Sequence, residues 1–176
     1  MKINIIFIIG VLLFSCSESK SRKPVNHGGV SALEKTVAIN KLLFANEEKK
    51  MQAYMVLDTI HTYINSKKGF WYTYISKNKK GAKPVTGNKV VFEQDIVALD
   101  GTILYAKNTL GLRNYVVDKE HVIKGVKEGI KIMREGEVVK FLFSSFVSYR
   151  MNGDSARVID SNEPIISTIK LIKINN

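Results

Sequence analysis

Residues 122–143 read VIKGVKEGIKIMREGEVVKFLF and contain the pattern from which the fold can be inferred. Between Gly125 and Arg134, apolar residues recur at a spacing of three to four, which predicts a short helix with one apolar side: Val126, Ile130 and Met133. Gly136 follows where a glycine commonly ends a helix. From Val138 to Phe143 every second side chain is apolar, as in a half-buried strand: Val139, Phe141 and Phe143. The stretch therefore predicts a short helix followed directly by a strand.

The sequence on both sides of this stretch predicts further strands. Segments that are β-prone or that alternate in polarity occur at 70–75, 88–99, 102–106, 114–117 and 165–174. Asp100-Gly101 lies between two of them and is a strong signal for a tight hairpin turn. Several strands around one short helix predict an antiparallel α+β domain over residues 70–176.

Residues 31–68 predict a helical arm in front of this domain. Ser31 and Glu34 match a capping box, and neither Gly nor Pro interrupts the segment before the Lys-Lys-Gly sequence at 67–69. A break near Ala45 is an alternative. Apolar residues continue at helical spacing: Leu33, Val37, Leu43, Phe44, Met51, Tyr54, Met55, Leu57, Ile60 and Ile64. Two interpretations stay open: the arm packs on its own domain, or it is a surface for dimerisation or for a partner.

The N-terminus predicts a lipoprotein signal peptide over residues 1–15. Lys2 precedes an apolar run of about ten residues, which is half of what a bilayer span needs. Cys16 is the only cysteine of the chain and follows this run within Leu-Phe-Ser-Cys, which resembles the bacterial lipobox. The alternative is an ordinary secretory signal with an incidental cysteine. Lipidation of Cys16 would anchor the protein to a membrane outside the cytoplasm, and polar residues 16–30 predict a flexible tether.

Composition excludes several classes of site. The 176 residues carry a formal net charge of +11, but the lysines are scattered and form no basic stripe interleaved with aromatics. We therefore expect a solvated basic surface with a weak attraction to anionic membranes, and no nucleic-acid partner. A single cysteine excludes an intramolecular disulfide and cysteine-rich metal sites, and the three histidines have no metal-ligand spacing. We expect no metal and no cofactor.

Residues 122–143 resemble the centre of the FKBP-type peptidyl-prolyl isomerases. That family carries V-I-x-G-W-x-x-G, an apolar helix, x-x-G-E and a hydrophobic strand, and the matching residues here are Val122, Ile123, Gly125, Gly129, Ile130, Met133, Gly136 and Glu137. Asp100-Gly101 lies where the family has its D-G turn, Tyr149 lies at its A-Y-G, and 165–172 matches its closing strand. The resemblance covers about half of the chain. It implies an FKBP-like sheet wrapped around the short helix.

The resemblance also implies the site. Val122 and Ile123 would form a pocket wall, the Ile123 backbone N–H and the Tyr149 hydroxyl would hold substrate carbonyls, and Ile159 would be an apolar contact. Leu104, Tyr105 and Val126 would also contact a proline-containing polypeptide. From the residues alone, Val122 and Ile123 could equally be core packing, and Tyr149 could be a surface or capping tyrosine. The reaction needs no cofactor.

Several positions depart from the family pattern. Val126 stands where the family has its pocket-floor tryptophan, and Leu104-Tyr105 stands where it has Phe-Asp. Gln94 replaces a tyrosine, Ser167 replaces a phenylalanine, and a further aromatic aligns near Arg113. The loss of aromatic lining predicts weak turnover. A binding or chaperone module with little catalysis is therefore the alternative to an isomerase, and a structural lipoprotein without a substrate is a third interpretation.

A narrower resemblance extends beyond the domain. The lipobox at Cys16, the arm, Gly69-Phe70-Trp71-Tyr72 and residues 162–166 together resemble gliding-motility-associated FKBP-type lipoproteins of Bacteroidota. This implies a role in folding extracytoplasmic gliding or secretion components. Ser17 is not the aspartate associated with inner-membrane retention, so we expect the outer membrane, facing the periplasm.

Overall fold

A computed structural model describes residues 30–175. The predicted signal peptide, Cys16 and the tether up to residue 29 lie outside the described residues. The described chain contains three α-helices and seven strands: α1 (Val30–Leu57), β1 (Ile64–Asn65), β2 (Phe70–Ser76), β3 (Lys89–Ala98), β4 (Ile103–Tyr105), α2 (Lys107–Leu110), β5 (Arg113–Val116), α3 (Lys124–Ile132), β6 (Val138–Phe143) and β7 (Ile165–Asn175). Two short 3-10 helices, Ser145–Val147 and Arg150–Asn152, lie between β6 and β7.

The strands form one antiparallel sheet in the order β1-β2-β6-β7-β3-β4. Strand β3 is long enough to pair with β7 along its length and with both β5 and β4 along its other edge. Gly101 adopts φ +94° in the turn between β3 and β4, which is the conformation that the predicted Asp-Gly hairpin requires. The α+β prediction is confirmed.

One face of the sheet packs against α3, and two glycines set how closely they approach. A Cβ added to Gly125 would lie 2.6 Å from the Phe143 ring, and one added to Gly129 would lie 3.0 Å from the Phe141 ring. These two rings are stacked, with centroids 5.2 Å apart. The core on this face contains Val126, Ile130, Met133 and Val139, all of them buried. The glycines of residues 122–143 therefore let the helix backbone lie directly on the phenylalanine rings.

The opposite face of the sheet carries a second, smaller core. Met51 of α1 is buried there with Leu142 of β6 and Ile166 of β7. Glu47 of the same helix is also buried, and its carboxylate accepts hydrogen bonds from the Ser145 backbone N–H at 2.9 Å and the Ser145 hydroxyl at 2.5 Å. The C-terminal part of α1 thus packs on its own domain, as the first of the two interpretations of the arm expects.

The contacts within the chain divide it into two units between Val37 and Ala38, inside α1. In the first unit the described side chains, from Ala32 to Val37, are exposed. Thr36 Oγ1 donates to the Ala32 carbonyl at 3.0 Å along the helix. Within residues 30–175 no helix combines the length and the apolar character that a bilayer crossing requires.

The boundaries of α1 differ from the prediction. The helix includes Ser31, which the capping box predicts as its N-cap, and it runs through Ala45 without a break. It ends at Leu57, nine residues before Ser66, although apolar spacing continues to Ile64. The reason lies in the next residue, because Asp58 binds groups beyond the helix. Its carboxylate accepts from Tyr63 at 2.7 Å and from Lys140 of β6 at 3.1 Å, which draws the chain onto the sheet.

Candidate active site

All seven predicted pocket residues belong to the main core or pack against it. Val126 and Ile159 are buried within this core, each 1% exposed. The other five are partly buried and pack against it from three segments: Leu104 and Tyr105 of β4, Val122 and Ile123 before α3, and Tyr149 between the two 3-10 helices. Residues that are far apart in sequence therefore line a single apolar region whose outer members reach solvent.

Two donors at this region have no hydrogen-bond partner within residues 30–175. Ile123 precedes α3 with φ −57° and ψ 145°, and its carbonyl accepts from the Lys127 N–H at 3.0 Å. Its own N–H finds no acceptor in the described chain. The Tyr149 hydroxyl likewise makes no hydrogen bond to a described residue and is not fully buried. Both groups can therefore donate to the carbonyl of a bound polypeptide.

Burial keeps the Tyr149 hydroxyl protonated. The loss of solvent raises the pKa of Tyr149 above its ordinary value, the Asp154 carboxylate raises it further, and the Arg113 guanidinium partly offsets this. A tyrosine with a raised pKa remains a hydrogen-bond donor throughout the physiological pH range.

Asp154 holds the loop that supplies Ile159. Its carboxylate accepts from the backbone N–H groups of Ile159 at 2.7 Å and Val158 at 2.8 Å, and from the Tyr105 hydroxyl. The hydrogen bond from the Ile159 N–H has the largest effect in lowering the pKa of Asp154. The same carboxylate raises the pKa of Tyr105 to about 12 through the hydrogen bond that it accepts. Tyr105 is thus tied to the loop through its hydroxyl.

Sequence reasoning missed Asp154. Its only signal is the turn-prone sequence Asn152-Gly153-Asp154, which predicts a loop but no partner. Gly153 adopts φ +65°, and a Cβ there would lie 2.3 Å from the Ile159 carbonyl oxygen. The loop can close on itself only with glycine at this position.

A chain of hydrogen bonds runs through two of the positions that depart from the family pattern. Arg113 Nη1 donates to Gln94 Oε1 at 2.8 Å, Gln94 Nε2 donates to Ser167 Oγ at 2.9 Å, and Ser167 Oγ donates to the Asp95 carbonyl at 3.1 Å. Gln94 is 1% exposed and Ser167 is fully buried. Polar groups thus replace the expected aromatic rings there, and each has a partner.

A sizeable cavity lies elsewhere. It has a volume of about 440 Å³ and is lined by residues of α1 after position 43, of β2 and of the segment after β6, among them Phe44, Met51 and Trp71. None of the seven predicted pocket residues lines it. Size alone therefore does not point to the predicted site, which is distinguished by its free donors.

Comparison with known proteins decides the family. The sequence model of the FKBP-type peptidyl-prolyl cis-trans isomerases matches residues 80–172, which include all seven predicted pocket residues. The chain belongs to the FKBP-type peptidyl-prolyl cis-trans isomerase family. The region around Ile123 and Tyr149 is accordingly the candidate active site of an FKBP-type domain.

Individual relatives agree with this assignment. The chain is 28% identical over 100 residues to the probable FKBP-type peptidyl-prolyl cis-trans isomerase FkpA of Neisseria meningitidis serogroup B, a match that covers 57% of this chain and 36% of the relative. The chain thus spans about a third of the length of that relative. A crystal structure of a peptidyl-prolyl cis-trans isomerase from Pseudomonas syringae pv. tomato superposes on this chain with a TM-score of 0.63 at 19% sequence identity. The superposition covers 77% of this chain and 96% of the Pseudomonas chain. The superposition shows the FKBP fold.

Proposed function

We propose that this FKBP-type protein is a peptidyl-prolyl cis-trans isomerase that acts on proline-containing polypeptides at the region formed by Val122, Ile123, Tyr149 and Ile159. The observation that carries the proposal is the pair of free donors, the Ile123 N–H and the Tyr149 hydroxyl, beside one apolar core. Leu104 and Tyr105, which are partly exposed, complete the contact surface for the proline ring, and Val126 belongs to the buried core behind it.

The proposed chemistry needs no nucleophile and no general base. Rotation about an X–Pro bond is slow because amide resonance sets a barrier of about 18–20 kcal/mol. An apolar surface disfavours the planar, charge-separated amide relative to its twisted form. The two donors hold the flanking carbonyls while the bond turns.

Val126 predicts slow turnover. The family places a tryptophan there, and exchanging it for valine removes apolar contact with the proline ring. At about 25 cal/mol per Å² the loss is on the order of 1–3 kcal/mol. If the contact is fully expressed in the transition state, the rate falls by roughly tenfold to a hundredfold.

A binding or chaperone module is the second candidate function. It is favoured by the hydrogen bonds that join Arg113, Gln94 and Ser167, since these polar residues occupy positions where the family pattern has aromatic rings. A site with less apolar surface can still hold a polypeptide through its two donors without accelerating rotation.

Catalysis and binding can be separated with one peptide. We would purify the full chain in detergent, measure the cis–trans exchange rate of a prolyl peptide by NMR exchange spectroscopy, and measure its Kd by fluorescence anisotropy. A rate above the uncatalysed value supports the isomerase, and binding without acceleration supports the module. Val126→Trp should raise the rate if the added ring contacts proline, with folding checked by circular dichroism.

The location of the protein is part of the proposal. The lipobox at Cys16 supports an anchor in the cell envelope, and Ser17 supports the outer membrane with the protein facing the periplasm. The resemblance to Bacteroidota lipoproteins supports gliding or secretion components as clients. Dimerisation through the arm stays a prediction. Its motivation is the exposed apolar side chains of α1, of which Leu42 is 69% exposed.

A further inference from the structure

Two cations approach the ring of Phe146. The Lys124 ammonium is 5.0 Å from the centre of its ring, and the Arg150 guanidinium carbon is also 5.0 Å from it. The ring is 44% exposed, so this arrangement faces solvent. Two cations held at one aromatic ring form a concentrated positive charge on the surface.

The chain order ties this arrangement to the prolyl site. Lys124 directly follows Ile123, and Arg150 directly follows Tyr149. Ile123 and Tyr149 are the two residues proposed to donate hydrogen bonds to substrate carbonyls. The residue that follows each of them therefore extends a cation to the same ring. Residues of a polypeptide that is held by Ile123 and Tyr149 would therefore pass near these two cations.

Neither cation is neutralised within the described chain. No carboxylate lies within ion-pair distance of Lys124 or Arg150 among residues 32–175. Glu47 lines the adjacent cavity of about 200 Å³ together with Arg150, but its carboxylate accepts two hydrogen bonds from Ser145. Two like charges without a partner repel each other, and an incoming anion relieves that repulsion.

The backbone at Arg150 is held in an unusual conformation. Its φ is +55°, in the left-handed region that glycine adopts without cost and that arginine disfavours. The Asn162 N–H donates to the Arg150 carbonyl at 2.8 Å, and Arg150 Nε donates to the Phe146 carbonyl at 3.1 Å, so both backbone and side chain are fixed. Arg150 thus places its guanidinium at the Phe146 ring from a backbone conformation that favours glycine.

We infer that Lys124, Arg150 and Phe146 form a subsite for an acidic side chain of the client polypeptide, a few residues from its proline. This inference rests on the proposed function and names the substrate class of the same site: proline-containing segments with a nearby aspartate or glutamate. The adjacent cavity continues the subsite along α1 through Phe44, whose ring meets Phe146 edge to face at 5.8 Å.

The test compares matched peptides. Glutamate or glutamine is placed at each of the four positions on either side of one proline, and the full chain in detergent is assayed for catalysed exchange and for Kd. At low salt, kcat/KM and affinity for the best glutamate peptide should be about threefold to tenfold higher than for the peptide with glutamine at the same position. At about 1 M salt, where charges are screened within about 3 Å, the difference should largely disappear.

Variants assign the preference to the two cations. Lys124→Gln and Arg150→Gly should each reduce the ratio of kcat/KM for the glutamate peptide to kcat/KM for the glutamine peptide, and the same holds for the ratio of affinities. The double variant should bring both ratios to about one. Arg150→Gly should also raise thermal stability, since it relieves the left-handed arginine. Lys127→Gln is the matched control. It removes the same charge from α3, but Lys127 pairs with Asp118 at 3.3 Å, and this variant should keep the ratio.

Three outcomes would overturn the inference. The first is a ratio of one in the unmodified protein at every position, and the second is a ratio that survives in the double variant. The third is an equal preference in peptides whose proline is replaced by alanine, which would indicate a general anion patch unconnected to the prolyl site. If no peptide is isomerised, the isomerase proposal fails, and the Kd ratio alone still decides the acidic subsite.

Discussion

Gln94 and Ser167 form a buried hydrogen bond of 2.9 Å between the neighbouring strands β3 and β7. Both side chains lie on the core face of the sheet, and the family pattern places aromatic rings at both positions. The two departures are therefore coupled, since each polar side chain supplies the partner of the other. A buried polar group without a partner costs about 1–3 kcal/mol.

The coupling can be measured with a double-mutant cycle. Ser167→Ala leaves the Gln94 amide without its acceptor and should lower the free energy of unfolding by about 1–3 kcal/mol. Gln94→Leu/Ser167→Ala should lower it by less than the sum of the two single variants. Urea unfolding gives these values. Ser144→Ala, which removes the more exposed bond to the Gly69 carbonyl, is the control and should cost less. Additive single effects would contradict the coupling.

Of the two glycines of α3, Gly125 should be the one where substitution by alanine lowers the free energy of unfolding more. Helix propensity alone predicts that Gly→Ala stabilises a helical position by up to about 1 kcal/mol. Close contact with Phe143 predicts the opposite sign, because an added methyl group would lie 2.6 Å from the ring and overpacking costs about 1–3 kcal/mol. Gly125→Ala should therefore destabilise in urea, and more than Gly129→Ala, where the approach is 3.0 Å. A stabilised Gly125→Ala would show that the helix can move away from the sheet.

Asp58 should make stability depend on pH in the acid range. Burial by itself would raise the pKa of Asp58, but hydrogen bonds from Tyr63 and His61 and the Lys140 ammonium hold it well below its usual range. A carboxyl with a depressed folded-state pKa contributes stability that is present above the unfolded value of about 4. The contribution is lost as the pH falls through the lower folded-state pKa.

Melting curves between pH 3 and pH 7 check this dependence. Asp58→Asn should melt lower than the unmodified protein at pH 7, and the gap should narrow below about pH 4. Asp160→Asn, which changes an exposed aspartate outside this cluster, is the control. A gap that stays constant down to pH 3 would mean that the Asp58 charge does not stabilise the end of α1.

Lipidation of Cys16 has a direct readout. Intact mass spectrometry of the membrane fraction should show a mature protein that begins at Cys16 and carries acyl chains. Cys16→Ala should leave unprocessed precursor, while Ser17→Ala should still be processed. A mature protein that starts at another residue, or an unmodified Cys16, would refute the anchor.

The strands could be predicted closely because their signals are local. Alternation from Val138 to Phe143 coincides with β6, and the Asp100-Gly101 turn joins β3 to β4. The end of α1 could not be predicted this way. Ile60 and Ile64 continue the helical spacing, yet Ile60 is 87% exposed and Ile64 lies in β1. The deciding contact, between Asp58 and Lys140, joins residues 82 positions apart.

In the candidate site, too, some residues have a local signal in the sequence, whereas others depend on contacts between distant segments. Val122, Ile123 and Tyr149 are predicted from motifs that keep their spacing in the family. Asp154 was missed because its role depends on the Tyr105 hydroxyl, which is 49 positions away in sequence. Neither the left-handed φ of Arg150 nor its approach to Phe146 has a local signal in the sequence, since both depend on how the segment after β6 packs.

The most direct test of the account is the effect of Tyr149→Phe on prolyl isomerisation. The unmodified full chain should accelerate cis–trans exchange of a prolyl peptide weakly but measurably. Tyr149→Phe should lower kcat/KM by about twofold to tenfold, as expected for one hydrogen bond of about 0.5–1.5 kcal/mol. Tyr74→Phe, on a partly buried tyrosine of β2, is the matched control and should leave kcat/KM unchanged. Full activity in Tyr149→Phe, with both variants folded by circular dichroism, would contradict the assignment of this region as the active site.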